Sequence, residues 1–579
     1  MKKYLLLIIA LAIGAFLRLY LLSEVPNGLT WDEAGIGYNA YSILKTGRDE
    51  HGAFMPIIFK SFGDYKPGAY IYLTVPSIAI FGLNEFAVRF PSALAGILAI
   101  LGVYLLTREI LSSNDTPKVT KNPSKKAKVI VGEARQSIKF LKFEFFPWDF
   151  SALVFAILPW SVHFGHGAWE VNVFTTLTIF ALYFFLRFIK NRSTLYPSLL
   201  FACLSLAMYQ AAKLFTPLVF LLFVVIYWKE FWQQFLTYLN PKKMLLITPF
   251  VFFGIWIYFG TIFGSAGNRL NTLSIFNYKP DLAKQAAPFD GANSIATPIF
   301  HNQVRLSSYL VISRYLYHLS PEVLFYEGSL FSERGHIPSL GVLNPLEFIW
   351  LLIGLIYLSR RIVSTNHITL DKASLIIIGL FLISPIPGSL TLAEFSTFRS
   401  LFMVVPLAII SGLGIFYSLE KLKLLAIPIM IAYFFLPLYI YDIYFFHSQT
   451  AFATEYNYGY KQAVQIIKDN PAQKVIFTDV LGQPYIYYVF YTAYDPATYQ
   501  RNVDFIDGGL DVGRVGHVGN VEFHQFGNSE MAEFKDTLFV GSEGNINNQF
   551  DITGPNVDLF RQIETPDHRI IFRVIKTKK

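Results

Sequence analysis

One cysteine, Cys203, stands in a chain of 579 residues. A lone thiol closes no internal disulfide and builds no cysteine-based zinc site. Charge is scarce too: Asp, Glu, Lys and Arg make up 15% of the chain, where soluble domains carry nearer a quarter. No internal repeat is visible, and low complexity is confined to one lysine-rich stretch. A disulfide scaffold, a cysteine-zinc module and an ordinary soluble domain are thereby set aside.

What the chain has instead is apolar surface. It is 53% hydrophobic and 17% aromatic, gathered into runs long enough to cross a bilayer. The runs predict about 11 spans near residues 4–22, 87–108, 150–165, 172–189, 195–211, 213–228, 244–262, 346–359, 373–388, 399–417 and 424–446. Because apolar spans recur after it, 4–22 reads as a retained first helix and not as a cleaved signal peptide. The run Gly68–Gly82 is shorter, contains Pro76 and lies between Lys66 and Glu85. It reads as an interfacial helix lying on the outer surface.

The formal charge of +8 does not point to nucleic acid, because of where it sits. Between residues 112 and 147, Lys118, Lys121, Lys125, Lys126, Lys128, Arg135, Lys139 and Lys142 face only Asp115, Glu133 and Glu144. Lys2-Lys3, Lys190/Arg192, Lys229/Lys242/Lys243, Arg360-Arg361 and Lys421/Lys423 fall on the same side of the predicted spans. Basic loops between spans mark the cytoplasmic side, with anionic lipid contact as the partner such loops favour. An odd number of crossings then leaves the C-terminal segment outside. The expected division is a membrane domain over 1–449, with outer loops at 23–86 and 263–345, and a small extracytoplasmic domain over 450–579. In the latter, helix-like Tyr460–Asp469, strand-like Lys474–Asp479, a helix-like stretch from Pro484 and strand-like Thr537–Val540 and Arg569–Ile575 suggest an α/β fold.

Polar residues on the outer side supply the candidate chemistry. Asp32 and Glu33 follow the first span. Carboxylates at a membrane surface cap the following helix, hold a divalent metal, or act as a general base. In the same loop, Asp64-Tyr65-Lys66-Pro67 places a lysine at the expected start of the interfacial helix. There it serves a lipid phosphate or simply reaches the headgroups. His163, His166 and Glu170 share a short turn, read as a polar lining or a partial metal site. Tyr209, Gln210 and Lys213 break an apolar hairpin, as groups facing a cavity do. Arg269, Arg334, His336 and Arg399 complete the set. A guanidinium fork suits phosphate, and each arginine serves equally as an interface anchor.

In this order the residues resemble those of the GT-C fold glycosyltransferases. The pattern is similar to the protein O-mannosyltransferase and lipid A aminoarabinose transferase group, including bacterial members with an RgtA/B/C/D-like domain. The matching elements are Asp32-Glu33, Asp64-Tyr65-Lys66-Pro67, and Phe86-Ala87-Val88-Arg89-Phe90-Pro91-Ser92-Ala93-Leu94. They continue with Tyr209-Gln210-Ala211-Ala212-Lys213, Asn268-Arg269, Glu333-Arg334-Gly335-His336 and Pro385-Ile386-Pro387. The resemblance runs from residue 1 to about 460 and is most specific in the first hundred residues. The chain departs from the pattern by Tyr65 between Asp64 and Lys66, by Gly68 in place of a second proline, and by the length of the basic loop.

The resemblance implies a polytopic α-helical membrane protein of GT-C type in the cytoplasmic membrane. Its implied reaction moves a sugar, with inversion, from a polyprenyl-phosphate donor to a hydroxyl or amine of a glycan, lipid or protein on the outer side. Asp32 is then the base, with Glu33 beside it. Lys66, with Arg269, Arg334 or Arg399, balances charge on the leaving phosphate, and Asp64, Tyr209, Lys213 and His336 join the binding set. No cofactor is implied with certainty, and a divalent ion at Asp32/Glu33 is the one candidate. A flippase for lipid-linked sugars is the rival from another class, although such transporters often show internal repeats. A glycan-binding tail is the third reading, with Tyr485, Tyr487, Tyr488, Tyr491 and Tyr494 as stacking residues or as packing.

Overall fold

The computed structural model describes residues 2–112, 137–140, 143–262, 274–278, 299–328, 333–364, 371–506, 508, 513–547, 550–552 and 554–578. Arg269 and residues 113–136 of the basic loop lie outside them. The chain forms two compact units. One comprises Met1–Arg18, Leu94–Gly165 and Glu170–Tyr441. The other comprises Leu19–Ala93, His166–Trp169 and Asp442–Lys579.

The first unit is helical, and every predicted span overlaps a helix. Among the described residues, six helices are long and apolar enough to cross a membrane alone: Glu85–Leu111, Glu170–Ile189, Pro241–Gly260, Lys372–Ser389, Leu401–Lys421 and Lys423–His447. A seventh crossing is available if Ala212–Ile226 and Trp228–Leu236, bent by 98°, count as one. Small residues let helices approach closely. A Cβ on Gly354 would stand 2.0 Å from the Ile410 carbonyl, and one on Gly414 would stand 2.0 Å from that of Trp350. Only glycine lets Glu347–Ser364 lie this near Val404–Lys421. Arg18, wholly buried, donates to the carbonyls of Gly14 (3.1 Å) and Ala156 (3.0 Å) and to Ser161 Oγ (2.6 Å). A charge in an apolar helix persists only with such partners.

The second unit joins the first loop to the C-terminal segment. Helix α1 (Trp31–Thr46) starts at a capping box between Thr30 and Glu33 and stops at Gly47, whose φ of 70° suits glycine. Strands β1 (Ile58–Ser61) and β2 (Asp64–Pro67) pair antiparallel. They turn at Phe62-Gly63, both with positive φ, the conformation that matches strand twist in a tight hairpin. Helix α2 (Ala69–Phe81) follows. This corrects one expectation: Lys66 sits on strand β2, not at a helix start, because the turn at Gly63 sends the chain back before the helix begins.

The C-terminal segment builds α3 (Tyr460–Asp469), β3 (Lys474–Phe477), α4 (Pro484–Tyr491) and α5 (Pro496–Asn502). Strands β4 (His517–Val518), β5 (Val521–Phe523), β6 (Thr537–Gly541), β7 (Val557–Glu564) and β8 (Ile570–Thr577) follow. The sheet order is β7-β8-β6-β3-β5-β4, with β3 parallel to β6 and β5 and the outer pairs antiparallel. Ile476, Phe539 and Ile575 fall in register across the middle and bury one face with Phe526, Met531 and Ile546. On the other face, Tyr460 of α3 stacks on Tyr487 at 4.1 Å and meets Phe477 and Phe572 edge-on or tilted.

Helix α1 packs within this unit. A Cβ on Gly37 would lie 2.4 Å from the Phe490 ring and 2.7 Å from Val88. The Tyr487 hydroxyl donates to the Leu29 carbonyl at 3.0 Å. Gln500 Nε2 donates to Ser42 Oγ, Thr46 Oγ1 and the Asp49 carbonyl at 2.9, 3.1 and 2.9 Å.

Candidate functional site

Asp32 and Glu33 occupy the first turn of α1, where consecutive side chains diverge by about 100°. They therefore meet different surroundings. Glu33 is fully buried. Its Oε2 accepts from the Thr30 amide at 3.0 Å, and its Oε1 accepts from the Ala168 amide at 3.1 Å. Arg89 closes the arrangement: its Nε lies 2.9 Å from Glu33 Oε1 and its Nη2 lies 3.4 Å from Oε2. The remaining guanidinium hydrogens go to the carbonyls of Leu22 (3.2 Å), Pro26 (3.0 Å) and Gly28. Such a pair is tolerable in the interior because both partners are hydrogen-bonded on nearly every side.

Asp32 keeps 37% of its side-chain surface and pairs with Lys66. The hairpin positions that lysine. Asp64 and Lys66, two apart on β2, share one face, and the Lys66 ammonium also lies 5.5 Å from the Phe62 ring centre. The surface thus carries one accessible carboxylate against one ammonium, with the buried Asp64 beneath. The arrangement offers a proton acceptor and a cation within reach of one ligand.

Behind it lies a fourth carboxyl. Glu50 is wholly buried, accepts from Asn39 Nδ2 at 2.9 Å and has its own amide held by Asn39 Oδ1 at 3.0 Å. Burial pushes its pKa up to about 8, with Asp49 adding to the rise while Asn39, Lys66 and Tyr485 oppose it. Glu50 is therefore a neutral acid at pH 7. Neighbouring His51, stacked edge-on against Phe505, is held down to about 4, first by burial and then by Lys60.

The other expected residues belong to the helical unit. Tyr209 ends the helix Leu195–Met208, and Lys213, buried near the start of the next, donates to the Tyr209 carbonyl at 3.2 Å. Arg334 and His336 flank Gly335 at a short turn, where the Arg334 carbonyl meets His163 Nε2 at 2.7 Å. Arg399 Nη1 donates to Ser396 Oγ at 3.2 Å. The structure thus gathers Asp32, Glu33, Asp64 and Lys66 in one unit, while Tyr209, Lys213, Arg334, His336 and Arg399 fall in the other. His166 Nδ1 bonds the Val25 carbonyl at 2.7 Å. Among the described residues no three His, Cys, Asp or Glu side chains gather so as to hold a metal ion.

Two residues of consequence escaped the sequence-based set of site residues. Arg89 had a usable signal, a charge four residues into an apolar helix, which needs a buried partner. Glu50, in Asp49-Glu50-His51, gave none, since three polar residues in a loop ordinarily face water.

A family model described as dolichyl-phosphate-mannose-protein mannosyltransferase matches residues 66–116, which include Lys66 and Arg89. No curated protein sequence matches the chain. Among solved structures, ArnT from Cupriavidus metallidurans bound to undecaprenyl phosphate aligns with a TM-score of 0.50 at 12% identity. That alignment covers 99% of this chain and 97% of that one. The Archaeoglobus fulgidus oligosaccharyltransferase tethered to an acceptor peptide aligns with a TM-score of 0.42 at 14% identity over 85% of this chain. The chain spans 63% of the archaeal protein's length. The likeness to ArnT establishes the fold.

Proposed function

We propose, from the premise that this chain has the GT-C fold, that it is a membrane glycosyltransferase taking its sugar from a polyprenyl-phosphate donor. The acceptor is a hydroxyl or amine of a glycan, lipid or protein. The observation that carries the reading is the partly exposed Asp32 paired with Lys66, beside a Glu33 immobilised by Arg89. The undecaprenyl phosphate bound by ArnT supports the donor class.

Asp32 takes the proton of the attacking group as the new bond forms at the anomeric carbon. The bond from that carbon to phosphate oxygen breaks on the opposite face, so the configuration inverts. Lys66 balances the charge that grows on the departing polyprenyl phosphate. Attack and departure lie on opposite faces of the sugar, so the Asp32–Lys66 pair opens to admit the ring. A divalent ion at Asp32/Glu33 does not fit this arrangement, because the Glu33 oxygens are committed to Arg89 and two backbone amides. No step here runs through a metal.

In the membrane we assign all eleven predicted spans, a cytoplasmic N-terminus and basic loop, and α2 to the outer interface. The Asp32 surface and the segment over 450–579 then lie outside. Glycosyl transfer from polyprenyl-phosphate sugars, measured in purified membranes over several donors, tests the reading. Asp32→Asn is expected to lower it by about 100-fold or more with membrane insertion unchanged. Undiminished transfer in that variant removes Asp32 from the mechanism.

A further inference from the structure

The helical unit contains a long groove of about 620 Å³ between the first helix, Leu5–Leu19, and the helix Ala426–Asp442. Ile9, Ile13 and Phe16 line one wall, and Tyr433, Pro437 and Tyr441 line the other. Spacings of three and four keep each set on one face of its helix. The walls run side by side over residues 6–17 and 430–441, roughly 16 Å at the helical rise. Leu17, Leu153, Tyr433 and Pro437 are buried and form the floor, while Ile9, Phe16, Phe434 and Leu438 stand exposed at the rim. None of the described lining residues is charged, and the Tyr433 hydroxyl is spent on Glu347 Oε1 at 2.7 Å. Helices that pack directly leave no such gap, and an empty apolar gap forfeits the contacts of the atoms that line it.

Both walls are spans in the topology assigned above, on which this inference rests, so the occupant comes from the membrane. The two ends of the groove differ. Lys3 precedes Leu6 in the chain, and Lys421 and Lys423 precede Met430; all three lysines are exposed. At the other end the rings of Phe16 and Tyr441 meet, their centres 5.8 Å apart, and the next residue is the acid Asp442. A chain entering from the lysine end finds cations for a phosphate at its head and a closed wall for its terminal methyl. A helix, about 10–12 Å across, does not pass between those rings. A polyprenyl chain headed by an outer phosphate brings its anion to the side of Asp442. We infer that the groove holds one acyl chain of an anionic phospholipid from the cytoplasmic leaflet, with the lipid phosphate at the lysine end.

Photolabelling of the full-length protein in detergent tests this, using a phosphatidylglycerol with a diazirine on one acyl chain. Label is expected on peptides covering 6–17 and 430–441, and an excess of unlabelled phosphatidylglycerol should displace it. Ala12→Phe, which fills the groove from an exposed lining position, should lower the displaceable label roughly 10-fold or more. Leu438→Trp should act in the same direction from the opposite rim, giving a second reading should Ala12→Phe lose its melting transition. Lys3→Gln with Lys423→Gln should reduce the preference for phosphatidylglycerol over phosphatidylcholine as competitor. Label that phosphatidylglycerol does not displace overturns the inference, as does unchanged label in a folded groove-filling variant. Undecaprenyl phosphate competing as well as phosphatidylglycerol overturns the choice of lipid. A preference unmoved in the lysine variant overturns the placing of the phosphate.

Discussion

Arg89 holds Glu33 by two guanidinium contacts while the next residue back, Asp32, reaches outward to Lys66. One helical turn thus gives two adjacent acids opposite duties. Glu33 fixes where α1 begins and how it is rotated. Asp32 inherits its aim from that rotation, which answers why the pair stands together.

Breaking the inner contact is expected to be structural in effect. Glu33→Gln or Arg89→Met each leaves a buried charge without its counterion, a loss of about 3–5 kcal/mol. The double variant should lose less than the sum of the two. Thermal unfolding of the purified protein measures all three, and additive losses would show that the two residues are not coupled.

The outer contact is expected to affect rate. Lys66→Met should lower the transfer rate by about 100-fold or more while shifting the melting transition little, since the pair is partly exposed and such pairs add about 0–1 kcal/mol. Lys66→Arg should restore part of the activity. Initial rates and melting curves on the same preparations separate the two effects.

Glu50 predicts a pH dependence of stability. Burial raises its pKa from an ordinary 4.5 to about 8 in the folded protein, so the folded state keeps a proton that the unfolded state has released. Its contribution is fully present below about pH 4.5 and is lost as pH rises toward 8, by roughly 1.4 kcal/mol per pH unit within that window. Glu50→Gln, which keeps the Asn39 contact, should flatten this slope and stabilise the protein at pH 8. Melting transitions recorded from pH 5 to 9 give the comparison. An unchanged slope assigns the effect elsewhere.

Two glycines of α1 should respond in opposite ways to alanine. At Gly37 the new methyl meets Phe490 and Val88, both buried, at 2.4 and 2.7 Å. Overpacking of about 1–3 kcal/mol then outweighs a helix-propensity gain of up to ~1 kcal/mol. At Gly35 the nearest atom is 3.5 Å away, so Gly35→Ala keeps the gain. Equal melting shifts for the two variants would contradict the packing described.

Much of the fold was legible because it depends on local signals. Apolar runs placed every span on a helix, and period-two and period-3.6 patterns placed Tyr460–Asp469 and the strands at Lys474 and Thr537. Lys66 was misplaced because a two-residue turn at Phe62-Gly63 decides between strand and helix start. A short loop does not announce that choice. The candidate site was half legible: Asp32, Glu33, Asp64 and Lys66 come from one loop, so proximity in sequence became proximity in space. Arg89 and Ala168 reach Glu33 from 56 and 135 residues away, and such pairings are set by packing that no local pattern encodes. Glu50 is buried by Tyr485 and its neighbours, which arrive from the far end of the chain.

The closure of α1 by the C-terminal segment also sets an order in time. Leu29 and Tyr487, joined by a hydrogen bond, are 458 residues apart. At ~5–20 residues per second of synthesis, the acid-bearing helix is made roughly 20–90 s before the residues that pack on it. A nascent or prematurely ended chain can thread its spans yet lacks the wall that holds Asp32 in place. The surroundings of Asp32 are complete only with the last quarter of the polypeptide.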